Sequence, residues 1–91
     1  MEITYDPKKN EKNIRDRGLS FDRAGDFDFK TAQVEPEYRH SEWRLLAKGF
    51  LGDRLHVLVF LELGEDIRVI SFRKANKREV RSYEKSRRNL E

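Results

Sequence analysis

Leu55 to Leu63 reads LHVLVFLEL, and this stretch decides the fold. Its two alternating sets of side chains are both mainly apolar. A strand of that kind needs cover on both faces and belongs in the middle of a sheet. Gly52-Asp53 precedes it and Gly64-Glu65-Asp66 follows it, both short turn sequences. Strands over Glu42 to Gly49 and Ile67 to Lys74 are therefore expected on its flanks, antiparallel to it. Further upstream, DFKTAQVEPEYRHS predicts a strand near Phe29 to Val34, then a loop broken by Pro36. Glu2 to Tyr5 is a short strand. Asp6 as N-cap, Pro7 at the first helical position and Gly18 at the exit enclose a polar helix whose one strong apolar anchor is Ile14. Ser20 caps a short second helix with Phe21, Ala24 and Phe27 on its buried side. Asn76 and Glu79 have capping-box spacing for a last helix, which offers only Val80, Tyr83 and Leu90 as an apolar face. The order is β-α-α-β-β-β-β-α: an α+β fold on a small antiparallel sheet, with N-terminal helices and a C-terminal helix.

Ninety-one residues make one domain spanning 1–91. With 36% hydrophobic and 41% charged residues the core is thin, and a partner is expected to add burial. The chain has no cysteine, and His40 and His56 are its only histidines. That excludes a disulfide framework and a cysteine-based zinc site. No cofactor or metal is expected. The polar start, MEITYDPKKNEKN, is no signal peptide, and no apolar run approaches the length of a membrane span. A soluble, cytoplasmic protein with no membrane partner is the expectation.

Charge is distributed unevenly. Arg68 to Glu91 holds nine Lys or Arg against three Glu, whereas residues 1–67 hold eleven basic and fourteen acidic residues. The densest part, RVISFRKANKREVRSY from Arg68 to Tyr83, runs from a strand into a helix. Such asymmetry points to a polyanionic partner, nucleic acid first, although a solvated basic helix has the same composition.

Two clusters could carry chemistry. Glu42 and Arg44, two apart on a strand, share a face. Ser71 and Arg73 share a face too, while strict alternation puts Arg68 on the other unless a bulge intervenes. By spacing alone, Glu42 and Arg44 fit an ordinary ion-pair lattice. Trp43 faces the opposite side as a core or interface residue. Ser71 lacks any nucleophile context. Tyr83 is either a base-stacking group or, more simply, a half-buried helix tyrosine.

YDPKKNEKN, GLSFDRA, SEWRLLAKG and IRVISFRKANKREVRSY together resemble BrnT-type toxins, the ribonuclease half of type II toxin–antitoxin pairs with a RelE-like fold. The last piece is the most specific, with Arg-x-Ile-Ser-x-Arg-x-Ala followed by Glu79 and Tyr83. Glu42, Arg44 and Gly49 fit as well. One departure stands out: Asp16-Arg17 precedes Gly18 where the family usually has Lys-His, leaving Arg17 to supply part of that function.

The resemblance implies a metal-independent endoribonuclease that inhibits translation and growth. In that chemistry the RNA 2′-hydroxyl attacks the adjacent phosphate. Glu42 is the base candidate, and Arg44, Arg68 and Arg73 hold the phosphate and its growing charge. The general acid is water or Tyr83, because arginine stays charged. Arg17, Ser71, Lys74, Lys77, Arg78, Arg81 and Tyr83 are the RNA-binding candidates. The implied partner is a BrnA-type ribbon-helix-helix antitoxin, two toxins with two antitoxins, and operator DNA is reached only through it. A non-catalytic nucleic-acid-binding or corepressor module is the alternative.

Overall fold

A computed structural model describes residues 1–89 in full and the backbone of Leu90. The elements are β1 (Ile3–Thr4), α1 (Pro7–Arg17), a 3₁₀ helix (Phe21–Asp26), β2 (Gln33–Arg39), β3 (Glu42–Leu51), β4 (Arg54–Leu63), β5 (Asp66–Lys74) and α2 (Lys77–Leu90). The expected α+β order holds. The strands form one sheet in the order β1-β5-β4-β3-β2, so LHVLVFLEL lies at its centre. Leu58 and Phe60 face a core shared with Leu19, Phe21, Ala24, Phe27, Val69 and Phe72. Leu55, Val57 and Val59 face a second core with Ala75 and Tyr83.

The sheet is mixed rather than antiparallel. β1 pairs with β5 in parallel, Ile3 opposite Ile67 and Thr4 opposite Arg68. Two paired residues are all that β1 contributes, leaving the rest of β5's outer edge open. Helix α1 closes it with a side chain: Asn13 Nδ2 donates to Phe72 O at 2.9 Å and to Leu19 O at 2.9 Å. Asn13 is 5% exposed, whereas Ile14 is 44% exposed. The helix is thus held by an amide, not by its isoleucine, because a sheet edge needs hydrogen bonds before it needs apolar cover. The caps behave as the sequence indicates. Asp6 accepts from Lys8 N, and Gly18 exits in the left-handed conformation at φ 66°.

The expected loop at Pro36 is instead the middle of β2. Pro36 lies opposite Leu45 in an unbroken antiparallel register from Gln33 to Arg39. β2 is the outermost strand, where a missing N–H facing solvent breaks nothing. A tight turn joins it to β3, with His40 at φ 52° and Ser41 at φ 59°, both left-handed as a two-residue hairpin of the primed kind requires. Gly49 on β3 sits where the chain crosses closely. An added Cβ would lie 2.6 Å from the Phe27 ring and 2.9 Å from the Ala32 methyl.

Asn76 and Glu79 form the capping box, each backbone N–H donating to the other's side chain at 2.9 and 2.8 Å. Val80 and Tyr83 pack on the second core. Residues 84–89 are exposed. The expectation for the Leu90 side chain lies outside the described residues.

Candidate nucleic-acid interface

The register between β4 and β5 shifts between Val59 and Phe60: Val59 faces Ser71, while Phe60 faces Val69. Ile70 is the extra residue. A bulge of this kind reverses alternation, so residues on either side of it that should point apart point together. Arg68 pairs with Leu61 and Arg73 with Val57, odd-numbered positions on the same side of β4. Arg68, Ser71 and Arg73 therefore share the sheet face carrying the second core. Glu42, Arg44 and Lys48 of β3 share it too, since Leu46 and Lys48 pair with Val59 and Val57.

The face is built in rows. Glu37 of β2 lies opposite Arg44. Extending the β3–β4 register by one residue brings Arg44 level with Leu61, whose other partner is Arg68. Glu37, Arg44 and Arg68 thus lie across one line of the sheet. Arg73 belongs to a second line with Val57 and Lys48, four residues along β4 and so roughly 13 Å away at ordinary strand rise. Glu42 begins β3, six residues from Lys48, which places it roughly 20 Å along the sheet from Arg73's line. The expected residues share a face but form a wall rather than one tight pocket.

Arg44 is the most constrained of them. Its side chain is 11% exposed and its guanidinium lies 3.5 Å from Glu42 Oε1. Its Nε is buried without a hydrogen-bond partner. An orphaned buried donor of this kind costs about 1–3 kcal/mol until something accepts from it. Arg73 is differently placed: Nη1 and Nη2 donate to the two Glu79 carboxylate oxygens at 2.8 and 2.9 Å. That fork, with the Asn76 N–H second, holds the Glu79 carboxyl at about 2. The same pairing raises Arg73, with Glu37 adding a smaller charge contribution. Arg73 thus fastens α2 to the sheet as well as charging the face.

Tyr83 is buried, and its hydroxyl donates to Thr31 O at 2.9 Å while its ring packs edge-on against Phe50. That commits it to the core and leaves no ring face for a base. Lys77, Arg78 and Arg81 are exposed along α2. Arg17 and Lys74 lie elsewhere, lining a cavity with His56. Ser71 borders a small cleft with Lys9, Lys12 and Arg17 of α1. Trp43 points to the opposite face and is 66% exposed, its ring 5.0 Å from that of Tyr38, so it is no core residue. Glu37 was missed because β2 was expected to end at Val34. A strand read through Pro36 exposes it at once by its alternation with Gln33 and Glu35.

Residues 5–79 match the family model described as the ribonuclease toxin, BrnT, of type II toxin–antitoxin systems. The chain belongs to the BrnT family. It is therefore a ribonuclease toxin of the type II class, and such a toxin has an antitoxin partner. A search of curated proteins gives no match. Within the matched span lie the bulge, the Arg44 and Arg68 line, and the Arg73–Glu79 pair; most of α2 lies beyond it. No helix among the described residues is long and apolar enough to cross a membrane.

Proposed function

We propose that this BrnT-family toxin cleaves RNA without a metal, by attack of a 2′-hydroxyl on the neighbouring phosphate. Translation arrest follows from loss of the RNA, and a ribbon-helix-helix antitoxin of the BrnA type silences the chain in a two-plus-two assembly. The alignment of Arg44, its guanidinium beside Glu42, with Arg68 on one line of the sheet face carries the reading. Two guanidinium groups so placed suit the oxygens of one phosphate, with a carboxylate next to them. As the attack proceeds, negative charge builds on the non-bridging oxygens, where preorganised guanidinium donors are worth most. Glu42, beside Arg44, removes the 2′-hydroxyl proton. Water returns one to the leaving 5′-oxygen. Arg73 with Lys77, Arg78 and Arg81 continues the basic wall along the strand of RNA. Among the described residues no three His, Asp or Glu side chains gather as a metal site would need.

Cleavage of a short RNA by purified toxin tests the reading. Activity should persist in EDTA and vanish on a substrate with a 2′-deoxy sugar at the cut site. Loss in EDTA with recovery on adding magnesium would replace the mechanism. Glu42→Ala should lower the rate by roughly 10²–10⁴, the usual contribution of a positioned base. Should Glu37→Gln give that loss while Glu42→Ala leaves the rate intact, the base is Glu37.

A further inference from the structure

On the opposite sheet face from the Arg44–Arg68 line, a cavity of about 530 Å³ opens between the end of α1, the 3₁₀ helix and the ends of β3, β4 and β5. Arg17, Arg23, His56, Arg73 and Lys74 border it over a floor that includes Leu19 and Leu51, and no carboxylate lines it. Arg17 donates only to the neutral Asn13 Oδ1, at 2.8 Å, and makes no ion pair among the described residues. Nor does Lys74. Arg23 is only loosely engaged, its Nε 3.4 Å from Asp26 on its solvent side. The guanidinium of Arg73 is held by Glu79 and the Lys74 carbonyl. Three cations thus border one space that no carboxylate lines.

His56 supplies the second half of the argument. It is buried, and its Nδ1 lies 2.8 Å from Arg54 O. A carbonyl can only accept, so Nδ1 carries the proton, and in the neutral ring Nε2 is a bare lone pair. Nε2 has no hydrogen-bond partner among the described residues. Burial first, then the charges of Arg54, Lys74 and Arg23, push the imidazole toward its neutral form against the pull of the Arg54 carbonyl. Facing it are Arg17 from the end of α1, Arg23 from the 3₁₀ helix with Asp26 beyond, and Lys74 from β5; its β3 neighbour opposite is Gly49. An acceptor among cations is satisfied by a ligand that is anionic and also carries a proton.

A phosphodiester has no such proton. A phosphate monoester can supply one, because its second ionisation falls near pH 6 and its protonated monoanion is still present close to neutrality. We infer that this cavity holds a phosphate monoester, such as a free nucleotide or the phosphorylated end of an RNA carries, with Arg17, Arg23 and Lys74 on its oxygens and His56 Nε2 on its hydroxyl. The volume lies within the range of small-ligand sites and leaves room for a nucleoside beside the phosphate. The assignment does not depend on cleavage at the Arg44 face.

The His56 ring signals in ¹⁵N-labelled toxin test it. The probes are inorganic phosphate, adenosine 5′-monophosphate, and two 2′-O-methyl oligonucleotides, uncuttable by 2′-hydroxyl attack and alike except for a 5′-phosphate or a 5′-hydroxyl. Phosphate and the mononucleotide should shift the ring signals and raise the His56 titration midpoint. The exposed change Arg23→Gln should weaken both at least tenfold in a protein that melts as the parent does. A response to the 5′-phosphorylated oligonucleotide alone of the pair supports an RNA end as the source, and a response to the mononucleotide but to neither oligonucleotide supports a free nucleotide. Equal responses to both oligonucleotides would overturn the monoester. Silence of His56 toward every probe at millimolar concentration, or full binding by Arg23→Gln, would overturn the site.

Discussion

Asn13 shows how far a single residue can depart from its sequence reading. In PKKNEKNIRDR the isoleucine looks like the anchor because apolar periodicity is the main sign of a buried helix face. The structure reverses this, since α1 covers backbone carbonyls rather than side chains, and the Asn13 amide reaches two of them. Asn13→Ala should therefore cost on the order of 2–3 kcal/mol, the effect of leaving buried carbonyls unpaired. Ile14→Ala should change the denaturation midpoint by much less. Glu79 was legible for half of its role. The capping box with Asn76 follows from spacing, but the fork to Arg73 needs the strand–helix geometry. Its carboxyl falls from the ordinary 4.5 to about 2. A depressed carboxylate stabilises the fold above its unfolded value, and that stability is lost as pH falls through the folded one. The loss belongs between about pH 4.5 and 2. Acid titration of stability should show it in the parent and a flatter limb in Glu79→Gln, which should also be the less stable protein at pH 7.

At the scale of elements, the strands that were legible are those with a covered face. β3, β4 and β5 begin and end within a residue or two of expectation because their alternation and glycine turns agree. β2 was expected near Phe29 to Val34 and runs over Gln33–Arg39, so its start lies four residues later than expected. Its end was missed because proline was read as a breaker without knowing that this strand is the sheet's edge. The bulge at Ile70 was beyond the sequence, because a register shift leaves no composition behind. Its consequence is large: without it Arg68 and Arg73 would face opposite sides. Deleting Ile70 places Val69 directly before Ser71 in the register they already hold opposite Phe60 and Val59, so the bulge is removed while Arg68 and Arg73 stay on one face. The variant is expected to keep RNA binding and the folded far-ultraviolet spectrum; loss of binding in a folded variant would show that the bulge does more than set the face. Gly49 is tied to the same elements, being the place where β3 passes beneath Phe27 and the Asp28 carbonyl. Gly49→Ala should lower stability by about 1–3 kcal/mol through overpacking, read as a shift in denaturation midpoint with an unchanged slope.

For the whole molecule, the decisive feature is that the two sheet faces expose different groups at their β2–β3 end. One sheet face carries the arginine wall and α2; the other, at its β2–β3 end, carries the exposed Tyr38–Trp43 pair. An antitoxin that silences the toxin by covering the wall must meet α2, whose residues beyond Tyr83 are exposed through 89. Covering them suppresses local opening, so amide exchange across residues 84–89 should slow on binding and RNA cleavage should fall in step with antitoxin added. The complex should also melt higher, by roughly 4 kcal/mol of mass-action stabilisation at a thousandfold excess over Kd. Trp43, the one tryptophan of the chain, reports the other face. Its emission should stay that of an exposed indole if the antitoxin lies on the wall. A blue shift of Trp43 with unchanged exchange in α2 would place the antitoxin on the aromatic pair instead. Inhibition would then act from the far side of the sheet, and the arginine wall would stay open to RNA in the silenced complex, a state that binding of a 2′-O-methyl oligonucleotide to the toxin–antitoxin complex would reveal directly.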